Sequence, residues 1–214
     1  MTITADLPAT HVRPATPEEL PALARVLTRA FADDPVTAWL WPDESGRVER
    51  LARFFADVFM ERLAPGRDLI FADDELRGVA SWTRGVASWT PPGQGDIAPL
   101  RMLRLLPILA SVCGRRLPRA LRTLAHMEAQ FPEAPHWHLP FLGVSPEHQG
   151  HGLGSALMRP ILERCDREGV PAYLEASTPR NRALYLRHGF VVLDEMRLPG
   201  GGPPLWRMWR EPVA

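Results

Sequence analysis

The sequence predicts an α/β (α+β) fold in which helices flank a central sheet, and three observations carry that expectation. From residue 136 onward, apolar runs of strand length alternate with amphipathic runs of helix length. A strong helix start stands near the amino terminus, and short apolar runs broken by turn residues fill 69–90. The chain has 214 residues, enough for one large domain with an insertion but not for two full domains. Its 45% hydrophobic and 23% charged content is that of a globular chain rather than a disordered one.

Residues 11–14 read as a first strand. Thr16-Pro17-Glu18-Glu19 then opens a helix with an N-cap hydroxyl, a proline at the first helical position and acids in the first turn. Leu20, Leu23, Ala24, Leu27 and Phe31 continue it at helical spacing, and Asp33-Asp34-Pro35 stops it. A second helix is expected over 45–63, with Val48, Leu51, Phe54, Phe55, Val58 and Phe59 as its apolar stripe. Leu69–Ala72 reads as a strand, Asp73-Asp74-Glu75 as a turn and Leu76 onward as the returning strand of a hairpin.

Gly78-Val-Ala-Ser-Trp-Thr-Arg84 is followed at once by Gly85-Val-Ala-Ser-Trp-Thr90. A repeat of seven is odd, so one unbroken strand would set Trp82 and Trp89 on opposite faces, and a bulge or a displaced copy is expected. No function is read into this duplication. Two amphipathic stretches follow at about 97–112 and 115–130. Six arginines and no acid lie between Ile97 and Met127, read as a solvated face of two helices whose apolar side covers a pocket. Pro107 and Pro118 argue against one unbroken helix there. Beyond it come a strand at 136–144, a helix at 155–167, a strand at 170–176 and a short helix at 180–188 stopped by Gly189. Strands at 190–197 and 205–210 flank the Pro/Gly-rich loop 199–204.

All 25 basic residues are arginine, balanced by 25 acids. A neutral chain lacks the basic excess of a nucleic-acid binder, so no nucleic-acid partner is expected. Cys113 and Cys165 make no disulfide framework or C-x-x-C, and the first residues show no basic-then-apolar leader. No run approaches the roughly 18 apolar residues that span a bilayer. A cytoplasmic protein without a membrane partner is expected. His136, His138, His148 and His151 follow no zinc-ligand spacing, so no metal is expected either.

The chemistry concentrates in Leu142-Gly-Val-Ser-Pro-Glu-His-Gln-Gly-His-Gly-Leu-Gly-Ser155. A strand ends there and Gln149-Gly150-His151-Gly152-Leu153-Gly154 turns directly into a helix. Glycines let backbone approach a ligand, and free N–H groups at a helix start suit a diphosphate. A dinucleotide fold would place this motif after the first strand, and a Walker A loop would need Gly-Lys-Ser/Thr.

Gln149-x-x-Gly152-x-Gly154 after Leu142-Gly143-Val144 resembles the acetyl-CoA pyrophosphate loop of the GNAT N-acetyltransferase superfamily, and Asn181-Arg-Ala-Leu-Tyr185-Leu-Arg-His-Gly189-Phe190 resembles its second signature. Within the superfamily the chain is similar to the puromycin N-acetyltransferases. That likeness is carried by Ala30–Asp33, Ala87–Pro91, Val144–Gly150 and Leu174–Asn181. The resemblance implies a mixed, mostly antiparallel sheet of six to seven strands in one domain over 11–214. A helical insertion would occupy 92–135 and the CoA-binding core 136–190.

The resemblance also implies an acetyl-CoA co-substrate and direct attack by an amine, so no enzyme nucleophile is required. The main chain at Leu142, Gly143 and Val144 would pair with the pantetheine arm, as an added strand does. Backbone groups of Gln149, Gly150, His151, Gly152, Leu153 and Gly154, with the Ser155 hydroxyl, would hold the diphosphate. Asn181 would contact the pantetheine from one helical turn before Tyr185. Tyr185 is the expected acid for the leaving thiolate. Glu175, inside a mostly apolar strand, is the expected base, with His138 as its rival. The acceptor is expected to be a small-molecule primary amine, an aminonucleoside antibiotic in the sharpest form, entering between 31–45, 92–130 and 199–204. Trp39, Trp41 and Trp137 would wall it. Acetylation of a peptide or protein amino terminus and a non-catalytic acyl-CoA sensor are the alternatives. An Arg-rich apolar insertion could also pair across a two-fold axis, which leaves a homodimer open.

Overall fold

The computed structural model describes residues 11–59, 69–77, 80–93 and 99–213. Its strands are β1 (His11–Pro14), β2 (Leu69–Arg77), β3 (Ala80–Thr90), β4 (Trp137–Val144), β5 (Ala172–Ala176), β6 (Val191–Arg197) and β7 (Pro204–Arg210). They form one sheet in the order β1-β2-β3-β4-β5-β7-β6. Among the described strands only the β4–β5 pair is parallel, so the sheet is mixed and mostly antiparallel, as the resemblance implies. The helices are α1 (Leu20–Ala30), α2 (Pro35–Leu40), α3 (Glu44–Arg53), α4 (Pro99–Cys113), α5 (Leu117–Glu128), α6 (Leu153–Glu168) and α7 (Pro179–Arg187).

The sheet carries a core on each face because its strands alternate apolar residues to both sides. On one face, Val86 and Phe141 pack with Leu23 and Leu27 of α1, Leu51 of α3 and Phe55. On the other, Trp89, Trp137, Leu174 and Met208 pack with Leu157, Ile161 and Cys165 of α6. The first helix starts as expected: the Thr16 amide donates to Glu19 Oε2 at 2.7 Å, closing a capping box. Arg13 forks onto the same carboxylate and holds its pKa down to about 2.

Several local expectations need correction. The α-helix of 45–63 ends at Arg53 and continues as a π turn over Phe54–Phe59, while 60–63 lie outside the described residues. Val48 does not join its buried stripe and is 49% exposed. Asp73-Asp74-Glu75 is not a turn: β2 runs straight through it, paired with β1 at Asp73 and Asp74 and with β3 on its other edge. The hairpin connection falls at 78–79, outside the described residues. Pairing on both sides overrides the weak strand preference of acidic residues. The seven-residue repeat is resolved by a bulge: Asp73 faces Gly85 and Asp74 faces Thr83, so Arg84 is the extra residue and positions 82 and 89 fall in phase.

The insertion forms the two expected helices, α4 and α5, joined at Gly114. Pro107 does not interrupt α4; the break falls at Gly114, whose φ of +53° is left-handed. The sequence also gave no expectation of α2, which Asp34 caps and Pro35 begins.

Candidate active site

β4 and β5 share register only at Trp137–Ala172 and His138–Tyr173. Beyond that point they separate, and Leu139–Val144 has no β5 partner. The cause lies in β4: a step of two residues in β3, from Ser88 to Thr90, is matched by a step of three in β4, from Phe141 back to His138. That bulge contains Pro140, which has no N–H to give to a ladder. α1 presses on the bent strand at Gly143, where an added Cβ would stand 2.9 Å from Leu27 Cδ2 and 3.1 Å from Ala30 Cβ.

β4 leads through a short turn into the glycine segment. Gly150 (φ +83°) and Gly152 (φ +82°) take left-handed conformations that disfavour a side chain. Gly152 is the N-cap of α6, so the amides of Leu153, Gly154 and Ser155 belong to the first helical turn and have no intrahelical acceptor. Gln149 stiffens this turn by donating to the Val144 carbonyl at 3.1 Å and accepting from Arg180 at 3.1 Å. His188 Nε2 lies 2.8 Å from Ser155 Oγ, tying the end of α7 to the start of α6.

A cleft of ≈ 490 Å³ opens between these elements. Leu142 and Val144 form one wall, and Gln149, Gly150, Gly152, Leu153, Gly154 and Ser155 form its end. Asn181 and Tyr185 of α7 close the opposite side. Gly143 and His151 are not on the cleft wall: Gly143 is buried beneath α1, and His151 is exposed with Nδ1 3.3 Å from the His148 carbonyl.

Thr178 positions α7 by accepting from the Asn181 amide at 3.1 Å. At the far end, Gly189 (φ +82°) lets the Phe190 amide return to the Tyr185 carbonyl at 3.2 Å. The Phe190 ring then packs on the Tyr185 ring at 6.0 Å. Burial pushes the Tyr185 phenol pKa up, helped by the charges of Asp34 and Glu175.

Glu175 and His138 stand behind Tyr185 rather than on the cleft wall. They were alternatives in the sequence, and here they are partners: His138 Nε2 donates to Glu175 Oε2 at 3.0 Å, with side chains only 9% and 7% exposed. Alternation explains the meeting, because Leu174 and Ala176 turn into the α6 core and leave Tyr173 and Glu175 on the other face. The Tyr173 hydroxyl is buried beside Glu175, and burial first and that carboxylate second push its pKa up. Phe131 and Tyr173 flank the His138 ring at 4.9 and 5.6 Å.

The three segments expected around the acceptor do meet. Val36 and Trp39 of α2, Met127 of α5, and Leu198 and Leu205 beside the 199–204 loop form one cluster. None of the three expected tryptophan walls lines the cleft. Trp41 and Trp137 are core residues, 6% and 2% exposed, whereas Trp39 sits beneath Arg119 at 4.8 Å and against Gly202. Asp34 was missed as a site residue, although it lines the cleft. An Asp followed by Pro is a helix-start signal, and it stood hidden in the stop after α1. Among the described residues no three of His, Cys, Asp and Glu lie together as a metal site requires, and no helix is long and apolar enough to cross a membrane.

Residues 108–190 match the model of the Acetyltransferase (GNAT) family. A solved structure from Corynebacterium glutamicum, described as histone acetyltransferase HPA2 and related acetyltransferase, superposes with a TM-score of 0.70. It is 28% identical and is covered to 98%, over 96% of this chain. An uncharacterised N-acetyltransferase of Schizosaccharomyces pombe is 42% identical over 78 residues, which span 36% of this chain and 32% of that protein. An acetyltransferase of Stachybotrys chartarum is 24% identical over 202 residues, 91% of this chain and 86% of that one. The splayed parallel pair and the glycine turn into α6 define an acyltransferase of GNAT architecture. Residues 108–190 thus match the GNAT family model, and the fold of the chain is that of the GNAT acetyltransferases.

Proposed function

We propose that the protein moves the acetyl group of acetyl-CoA to a primary amine of a small molecule by direct attack. The observation that carries this reading is one cleft in which the stretch of β4 that β5 leaves free, the glycine turn into α6 and Tyr185 converge. The edge of Leu142–Val144 that β5 leaves free suits an extended amide-bearing arm, and the first-turn amides of α6 suit a diphosphate. Ser155 adds a hydroxyl whose orientation His188 fixes.

For transfer, the amine gives up a proton through a bridging water to the Glu175–His138 pair, which does not itself line the cleft, and its lone pair forms the C–N bond to the thioester carbon. The C–S bond then breaks, and the departing sulfur takes the Tyr185 proton. The raised pKa of Tyr185 keeps that proton in place throughout the neutral and mildly alkaline range. Holding both partners in one cleft supplies the larger share of the acceleration.

The insertion between β3 and β4, whose α5 packs with α2 and the strands flanking the 199–204 loop, supports a small acceptor over a peptide in an open groove. The likeness of Val144–Gly150 and Leu174–Asn181 to the puromycin N-acetyltransferases supports an aminonucleoside antibiotic, and with it a resistance role. Thiol release from acetyl-CoA tests both levels, with puromycin, aminoglycosides, polyamines, free amino acids and peptide amino termini as acceptors. Turnover on puromycin alone upholds the finer reading. Activity only on peptides overturns the small-molecule acceptor, and acetyl-CoA binding without turnover on any amine turns the reading to a sensor.

A further inference from the structure

Asp34 does a job that its place in the backbone does not require. Its Oδ1 accepts from the Val36 amide at 2.9 Å, capping α2, and its Oδ2 accepts from the Ser177 hydroxyl just past β5. Asparagine caps a helix as well as aspartate does, so the cap alone does not call for a charge. Yet the carboxyl lines the cleft, beside Tyr185. Burial pushes its pKa up, while Ser177 and the amides of Val36 and Thr37 pull it back. A carboxylate offers about four lone-pair sites, and the bonds from Val36, Thr37 and Ser177 leave room for a further donor. A carboxylate brought out of water in this way is costly unless a cation answers it.

The position of the second carboxylate fixes where that cation comes from. Asp34 and Tyr185 line one cleft, and the charges of both Asp34 and Glu175 help raise the Tyr185 pKa. Glu175 is approached through β5 and His138, whereas Asp34 faces the open cleft from the α1–α2 turn.

We infer that Asp34 receives the ammonium group of the acceptor, and that the acceptors are alkylamines charged at neutral pH rather than arylamines or alcohols. This rests on the acetyl transfer proposed for the same cleft. Asp34 holds the ammonium with a charge-assisted hydrogen bond; one proton leaves nitrogen for the Glu175–His138 pair before attack, and the second, lost as the C–N bond forms, replaces the proton that Tyr185 gives to sulfur. No covalent bond to Asp34 forms.

The test is Asp34→Asn, which keeps a capping side chain and a partner for Ser177. Loss of a hydrogen bond to a charged group should raise KM for an alkylamine roughly 10- to 100-fold. The dissociation constant for acetyl-CoA, read by titration calorimetry, should stay within about twofold, since the diphosphate amides lie on α6. An unchanged amine KM overturns the inference, as does an equal weakening of amine and acetyl-CoA. A variant that only melts earlier, with KM intact, reduces Asp34 to a cap and overturns it too. Failure of the native protein to bind acetyl-CoA is a separate result, because it removes the transfer reading itself.

Discussion

Replacing Glu175 with glutamine separates the two things its carboxylate does. The His138–Glu175 hydrogen bond spans 3.0 Å between side chains only 9% and 7% exposed, so solvent screens it little. A hydrogen bond to a charged group contributes about 1.5–3 kcal/mol and a neutral one about 0.5–1.5, so a Gln that still accepts from His138 costs about 1–1.5 kcal/mol. For a chain of this size each kcal/mol moves Tm by about 2–4 °C, which sets the expected fall at roughly 2–6 °C. Against a typical total of about 5–15 kcal/mol, the variant stays more than about 99% folded at 25 °C. Removing a general base lowers kcat by about 10²–10⁴-fold, far beyond any loss of folded protein. Differential scanning fluorimetry and thiol-release kinetics on one preparation measure both. A turnover that falls no further than the folded fraction would refute the role of this pair in proton transfer.

Three further outcomes follow from the same geometry. Tyr185→Phe should bind acetyl-CoA normally and turn over about 10²-fold more slowly or worse, while native kcat should show no alkaline loss from this phenol up to about pH 10, since burial raises its pKa; a steep alkaline limb absent from the Phe variant would contradict this. Gly143→Ala must push α1 off β4 at Leu27 and Ala30 and should destabilise by about 1–3 kcal/mol, read in urea denaturation; an unchanged midpoint would show that α1 does not bear on the strand. The Glu19 carboxyl titrates at about 2 rather than at its ordinary 4.5, so its contribution to stability is present above 4.5 and is lost as pH falls toward 2. Arg13→Met should flatten that part of the acid-stability curve, and an identical curve would show the pair to be idle.

What was legible in the sequence is what local chemistry decides. Gly150 and Gly152 must turn left-handed ahead of α6, and Thr178, Pro179 and Gly189 bracket α7, so each end of the cleft is written in adjacent residues. What depends on register was not legible. Glu175 and His138 are 37 residues apart, and only the parallel pairing of β4 with β5 brings them together. Asp73-Asp74-Glu75 has turn composition but lies within a strand because β1 and β3 pair with β2 on its two edges. The faces taken by Trp41 and Trp137 follow from which helix packs where, and no nearby residue signals that.

Direct transfer at the cleft is tested most sharply by tracing the acetyl group. Acetyl-CoA labelled in its acetyl carbons would be incubated with the protein and an accepted amine, and both would be weighed by mass spectrometry. The expected result is one labelled N-acetyl product for each thiol released, with the protein mass unchanged. Label on the protein, or thiol released as free acetate while the amine stays unmodified, would contradict direct attack.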